Sequence, residues 1–268
     1  MQTCINQLGS NQNLKLAHYV KSKSCLFVEG KDIKILKTLA QKNNINKFTR
    51  DNLFSIISLE GFSNWKRLLP TDWLFFKILG EKVKCYVILD SDFYTESERN
   101  EIITSLNKQR IQVHIWERKE LENYLIERKA LYRMFCENYS KKYPLKKIPL
   151  SEKQFESKID TIIENFKNEL YSQILSRKIN LFKGKTSEDL STIILKTQVE
   201  FEKNWKNDAY RIKIIPGKEF FKALNNWLNT NYKISITINY AAFSLQRDEI
   251  DPEVILTINE FIDNTLSS

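Results

Sequence analysis

Four short runs of this chain are apolar almost throughout: Ser24–Glu29 (SCLFVE), Phe54–Leu59 (FSIISL), Lys84–Leu89 (KCYVIL) and Ile111–Trp116 (IQVHIW). Stretches with helical periodicity separate them, such as Asp32–Lys42, where Ile33, Leu36 and Leu39 are three apart. Strands without polar alternation must be covered on both faces, and strands joined through helices run parallel. Residues 24–126 therefore predict an α/β fold with a parallel four-stranded sheet flanked by helices. Asn64–Leu79, holding Trp65, Trp73, Phe75 and Phe76, reads as an aromatic helix, and Glu96–Lys108 as a polar amphipathic one.

The pattern changes after Leu121. Residues 121–138 read as helix, Tyr139–Ser151 as a basic, proline-punctuated connector, and 152–207 as two or three long helices. Arg211–Ile215 (RIKII) predicts one more strand, ended by Pro216-Gly217, with closing helices over Lys218–Trp227 and Pro252–Asn264. The expected divisions are a leader over 1–23, a core over 24–126, a helical insertion over 127–210, and a strand-turn-helix segment over 211–268 that completes the core domain.

Several chemistries are excluded by rarity. Two histidines, His18 and His114, cannot furnish a multi-histidine metal site, and Cys4, Cys25, Cys85 and Cys136 never form CxxC. With six glycines there is no GxxxxGK[ST] and no GxGxxG, so the chain lacks its own nucleotide-binding loop. No apolar run approaches the roughly 18–20 residues of a membrane span. The opening MQTCINQLGSNQNLKLAHYV has no basic segment leading into an apolar one, so a soluble, cytoplasmic protein without a membrane partner is expected. The 42 Lys and Arg against 33 Asp and Glu give a net charge of +9, compatible with a polyanionic partner. Lys141, Lys142, Lys146 and Lys147 lie in an acid-free stretch and are candidate nucleic-acid contacts; a solvated connector is the alternative.

Carboxylates remain to carry chemistry. Ligands of a parallel α/β sheet bind beyond the carboxyl ends of its strands. Glu29 ends the first strand, Asp90 and Asp92 follow the third, and Glu122 follows the fourth. Strand alternation predicts that Asp90 and Asp92 point the same way. Carboxylates that converge without basic neighbours call for a hard cation, Mg²⁺ or Mn²⁺, one or two ions, which can polarise a phosphodiester and acidify a bound water.

Glu29-Gly30 after one apolar strand, then Asp90-Ser91-Asp92 after another, resemble the two signatures of the Toprim domain. Topoisomerases, bacterial primases, recombination proteins and OLD-family (overcoming-lysogenization-defect) nucleases share that domain. Trp116–Leu125 (WERKELENYL) and the Pro216-Gly217-Lys218 turn are similar to the OLD-like branch. The resemblance implies an Mg²⁺- or Mn²⁺-dependent endonuclease, acting on DNA or, alternatively, on RNA such as tRNA, in anti-phage defence beside a separate ABC- or AAA-type ATPase. A homo-oligomer fits this reading, and a non-catalytic Toprim module is a further alternative. It implies Glu29, Asp90, Asp92 and Glu122 as metal ligands and Lys218 as a contact to the scissile phosphate. Toprim domains commonly carry an acid four residues after the glutamate. Ile33 holds that position here, and Asp32, one residue early, is either a ligand or a helix cap. Tyr94 and Tyr124 read as packing or hydroxyl-bonding residues.

Overall fold

The computed structural model describes residues 23–30, 32–50, 53–59, 65, 66, 68, 77, 80, 82–182 and 189–265. The expected leader, Trp73, Phe75, Phe76 and most of the aromatic helix lie outside them. In chain order the elements are β1 (Ser24–Glu29), α1 (Asp32–Lys42), α2 (Asn46–Thr49), β2 (Ser55–Leu59), β3 (Lys84–Leu89), α3 (Glu96–Lys108) and β4 (Ile111–Ile115). A 3-10 turn, Leu121–Leu125, leads into α4 (Arg128–Lys142), α5 (Glu152–Glu164), α6 (Lys167–Phe182), α7 (Leu190–Trp205), α8 (Asp208–Ile214), α9 (Gly217–Tyr232), α10 (Ile238–Ser244) and α11 (Pro252–Thr265). Among the described residues no helix is long and apolar enough to cross a membrane.

The fold is α/β, with a wholly parallel sheet in the order β2-β1-β3-β4. The chain divides into two compact units. One takes the described residues up to Trp116 together with those from Gln246 onward, and the other is Glu117–Leu245. The described residues from Gln246 onward, a 3-10 turn (Arg247–Glu249) and α11, thus fall with the sheet.

In the first unit both sheet faces are covered, as strands without polar alternation require. Cys25, Phe27, Cys85, Val87 and Leu89 share a core with Ile102 and Leu106 of α3 and with Trp65. On the opposite face α11 packs on β3, α1 and α2. Its Phe261, fully buried, meets Phe54 at 4.7 Å, Phe48 at 5.6 Å and Tyr86 at 5.7 Å between ring centroids. Trp65 is thus a core residue. Cys25 and Cys85 are register partners on β1 and β3; both are buried free thiols, and burial pushes the Cys25 thiol up.

The second unit is helical, and all four strands among the described residues belong to the first. Its core is aromatic: Phe135 of α4 lies 5.1 Å from Phe155 of α5 and 5.3 Å from Tyr232 of α9. The strand expected at Arg211–Ile215 is corrected to the helix α8. Asn207 caps that helix by accepting from the Tyr210 amide, and Asp208 pairs with Arg211 one turn on at 2.9 Å. Cap and ion pair outweigh the β propensity of Ile212, Ile214 and Ile215. Arg128 binds Asp208 through two nitrogens and reaches Asp160 at 2.8 Å, so one guanidinium ties α4, α5 and α8 together.

Phe261→Ala should destabilise the protein by about 3–5 kcal/mol, the usual cost of emptying a buried aromatic site. Leu256→Ala, on the exposed side of the same helix, should change stability by less than about 0.5 kcal/mol. Urea unfolding of both variants checks this; equal effects would contradict the assignment of α11 to the sheet.

Candidate functional site

Strand order determines where the first unit can hold a ligand. From β1 the chain moves to β2 on one side, and from β3 it moves to β4 on the other. The point where the winding reverses lies between β1 and β3, and open α/β sheets bind ligands beyond the carboxyl ends at such a point. Glu29 is the last residue of β1, and Asp90 directly follows β3. The register pairs Phe27 with Val87, so two residues further on Glu29 stands level with Leu89 and adjacent to Asp90. Both carboxylates therefore end neighbouring strands at the reversal point. Asp90 is buried, as is Asp32, the first residue of α1. Glu29 Oε1 and Asp90 Oδ1 are fully shielded from solvent.

The turns that follow are specialised. Gly30 has φ +46°, which turns the chain off β1; its amide donates to Leu59 O and its carbonyl accepts from Ser58 Oγ. Asp92 and Phe93 have φ of +38° and +62°. Such values are costly for residues with side chains and gather at functional sites. The strand ends at Leu89, and Asp92 belongs to the turn that follows it. Tyr94 closes that turn by donating its amide to Ser91 O, and its ring packs on the core.

Glu122 and Lys218 belong to the second unit, where two segments far apart in sequence are knitted together. Glu122 lies in the 3-10 turn, buried, with Oε2 3.5 Å from Lys218 Nζ. Burial raises the Glu122 pKa, against the opposing pull of Lys218. Lys218 is in the first turn of α9, following a helix rather than the expected strand. A Cβ on Gly217 would stand 2.8 Å from Asn123 Oδ1 and 2.9 Å from Glu122 Cβ. Only glycine permits this approach of α9 to the turn.

Three residues without a role in the sequence reading hold this arrangement. Asn123, fully buried, donates through Nδ2 to Ile212 O at 2.6 Å and Ile215 O at 2.8 Å, and accepts from the Glu120 amide. Glu120 accepts from the Lys218 amide at 3.2 Å. Arg118 lies 4.6 Å over the Tyr124 ring and donates to Asn123 O, while the Tyr124 hydroxyl accepts from the Arg118 amide. The signal was present: Glu120 and Asn123 are spaced as a capping pair inside WERKELENYL. Lys141, Lys142, Lys146 and Lys147 are exposed, the first two in the last turn of α4, and Lys146 Nζ lies 4.7 Å over the Tyr143 ring.

Among the described residues no group of three or more His, Cys, Asp and Glu side chains is gathered to hold a metal ion. In the first unit Glu29 and Asp90 stand at adjacent strand ends and Asp92 in the turn that follows; in the second, Glu122 stands beside Lys218. The donor set at the strand ends still suits Mg²⁺, which uses one or two carboxylates and keeps waters or substrate phosphate for the rest. No protein-family model, curated protein or solved structure matches the chain.

Gly217→Ala should cost about 1–3 kcal/mol by overpacking, read as a lowered unfolding midpoint; an unchanged midpoint would contradict the close approach. Burial makes folded Glu122 hold its proton more tightly than the unfolded chain does. Its contribution to stability is therefore full below the ordinary Glu value of about 4.3 and is lost as pH rises through the raised one. Glu122→Gln should remove that part of the fall in stability between acidic and neutral pH, measured by urea titrations across the range.

Proposed function

We propose that the protein is a divalent-metal-dependent nuclease of the Toprim type, resembling OLD-family enzymes and hydrolysing phosphodiester bonds of DNA. The observation that carries the reading is the placement of Glu29 and Asp90 at the reversal point of a parallel sheet, beside a turn with two left-handed non-glycine residues. Glu29, Asp90 and Asp92 are the proposed ligands, with Asp32 as a further carboxylate of the implied set. A divalent ion bound there supplies Lewis acidity to a phosphodiester and lowers the pKa of a coordinated water.

The chain's own residues do the rest. The buried Asp90 and the half-buried Glu29 are held at strand ends by backbone that cannot move far, which keeps them aimed without reorganisation. Lys218, a compact ammonium on a half-exposed side chain, suits contact with a phosphate oxygen as negative charge develops. Lys141, Lys142, Lys146 and Lys147 form the proposed backbone contacts to nucleic acid. The proposed setting, as the resemblance implies, is the cytoplasm beside a partner ATPase that couples the reaction to nucleotide hydrolysis. Ile33 in place of an acid favours a second reading, a Toprim module that binds nucleic acid without cutting it.

Asp90→Ala with Asp92→Ala should abolish cleavage of supercoiled DNA, linear DNA and total tRNA in Mn²⁺ while leaving the unfolding midpoint unchanged or slightly raised. Retained cleavage in this variant would sink the assignment, and cleavage of tRNA alone by the unmodified protein would move the substrate to RNA. Replacing all four connector lysines by Ala should flatten the salt dependence of binding to duplex DNA. The log–log slope should fall by about 0.9 for each phosphate that a lysine no longer neutralises. An unchanged slope would remove the connector from the interface.

A further inference from the structure

We propose that Glu120 is a positioning residue for the Lys218 ammonium, a role that rests on the reading of Lys218 as the phosphate contact. Pro216 stands at the N-cap of α9 and has no side chain to cap with, so an orphan amide of the first turn needs an acceptor from elsewhere. Glu120, 98 residues away in sequence, supplies it: Oε2 accepts from the Lys218 amide at 3.2 Å. The same oxygen lies 3.7 Å from Lys218 Nζ, while Glu122 Oε2 lies 3.5 Å from it. The ammonium thus stands between two carboxylates, both on the 117–122 segment and both largely buried.

A lysine on a flexible four-carbon stem has many rotamers, and half of this side chain is exposed. One carboxylate would draw its charge to one side. Two, at nearly equal distance, define a position. Glu120 is itself fixed, because its amide donates to Asn123 Oδ1 and its side chain accepts from the Asn123 amide. Its other oxygen lies 3.7 Å from Lys119 Nζ, so the four side chains Lys119, Glu120, Glu122 and Lys218 balance to zero formal charge. An ammonium anchored in this way is aimed before substrate arrives, and misplacement of such a group by about 1 Å can cost 10²-fold in rate.

Glu120→Gln separates the two jobs of the residue. The amide oxygen of glutamine can still accept from the Lys218 amide, so the helix start is kept, while the second anion is lost. Single-turnover cleavage at saturating Mn²⁺ should slow about 10–100-fold, with KM, Mn²⁺ affinity and unfolding midpoint unchanged. Glu120→Asp, which keeps the charge, should cleave faster than Glu120→Gln. Because Glu120 acts through Lys218, Glu120→Gln should add no further loss in a Lys218→Ala background. A wild-type rate in Glu120→Gln, or an equal further loss in the double variant, overturns the role while leaving the nuclease reading standing. Unmodified protein that cleaves neither DNA nor RNA overturns the nuclease reading, and this role with it.

Discussion

The parallel pairing of β1 with β3 is the constraint on which the first unit depends. It joins the two most buried strands, sets Cys25 against Cys85 and Phe27 against Val87, and forces the winding to reverse between them. Backbone hydrogen bonds along this pair determine which residues stand at the carboxyl ends where the winding reverses. Because a slip of one residue would send every side chain to the opposite face, the apolar sets of both strands hold the register. The position of Glu29 beside Asp90 is therefore a consequence of core packing several residues away.

The second unit reaches its arrangement by different means. Its helices meet through aromatic rings, but the segment bearing Glu122 and Lys218 is set by polar contacts and one missing side chain. Asn123 spends both amide protons on carbonyls at the end of α8, and Gly217 lets α9 begin against the turn that holds Glu122. The Arg128–Asp208–Arg211 network secures α8 from the other side. Each contact is modest alone; together they leave Lys218 little choice of direction.

The parallel sheet is legible in the sequence because strands apolar throughout admit few alternatives, and the long helices follow from their caps and periodicity. Segment 211–215 reads as a strand because β-branched residues dominate it, whereas the deciding signal is Asn207-Asp208 just before it. Strand alternation says nothing of Asp92, because that rule ends where the strand does, at Leu89. The approach of Gly217 to Glu122 and Asn123 is not written in any spacing, since 94 residues separate Asn123 from Gly217 and only packing brings them together. What the sequence supplies there is the identity of the two segments, WERKELENYL and Pro216-Gly217-Lys218.

The most direct test of the central claim is a crystal of the protein soaked in Mn²⁺ and measured for anomalous scattering. The account predicts a manganese peak at the carboxyl ends of β1 and β3, coordinated by Glu29 and Asp90, and its loss in Asp90→Ala. Crystals that diffract well and show no anomalous density between these two carboxylates would contradict it.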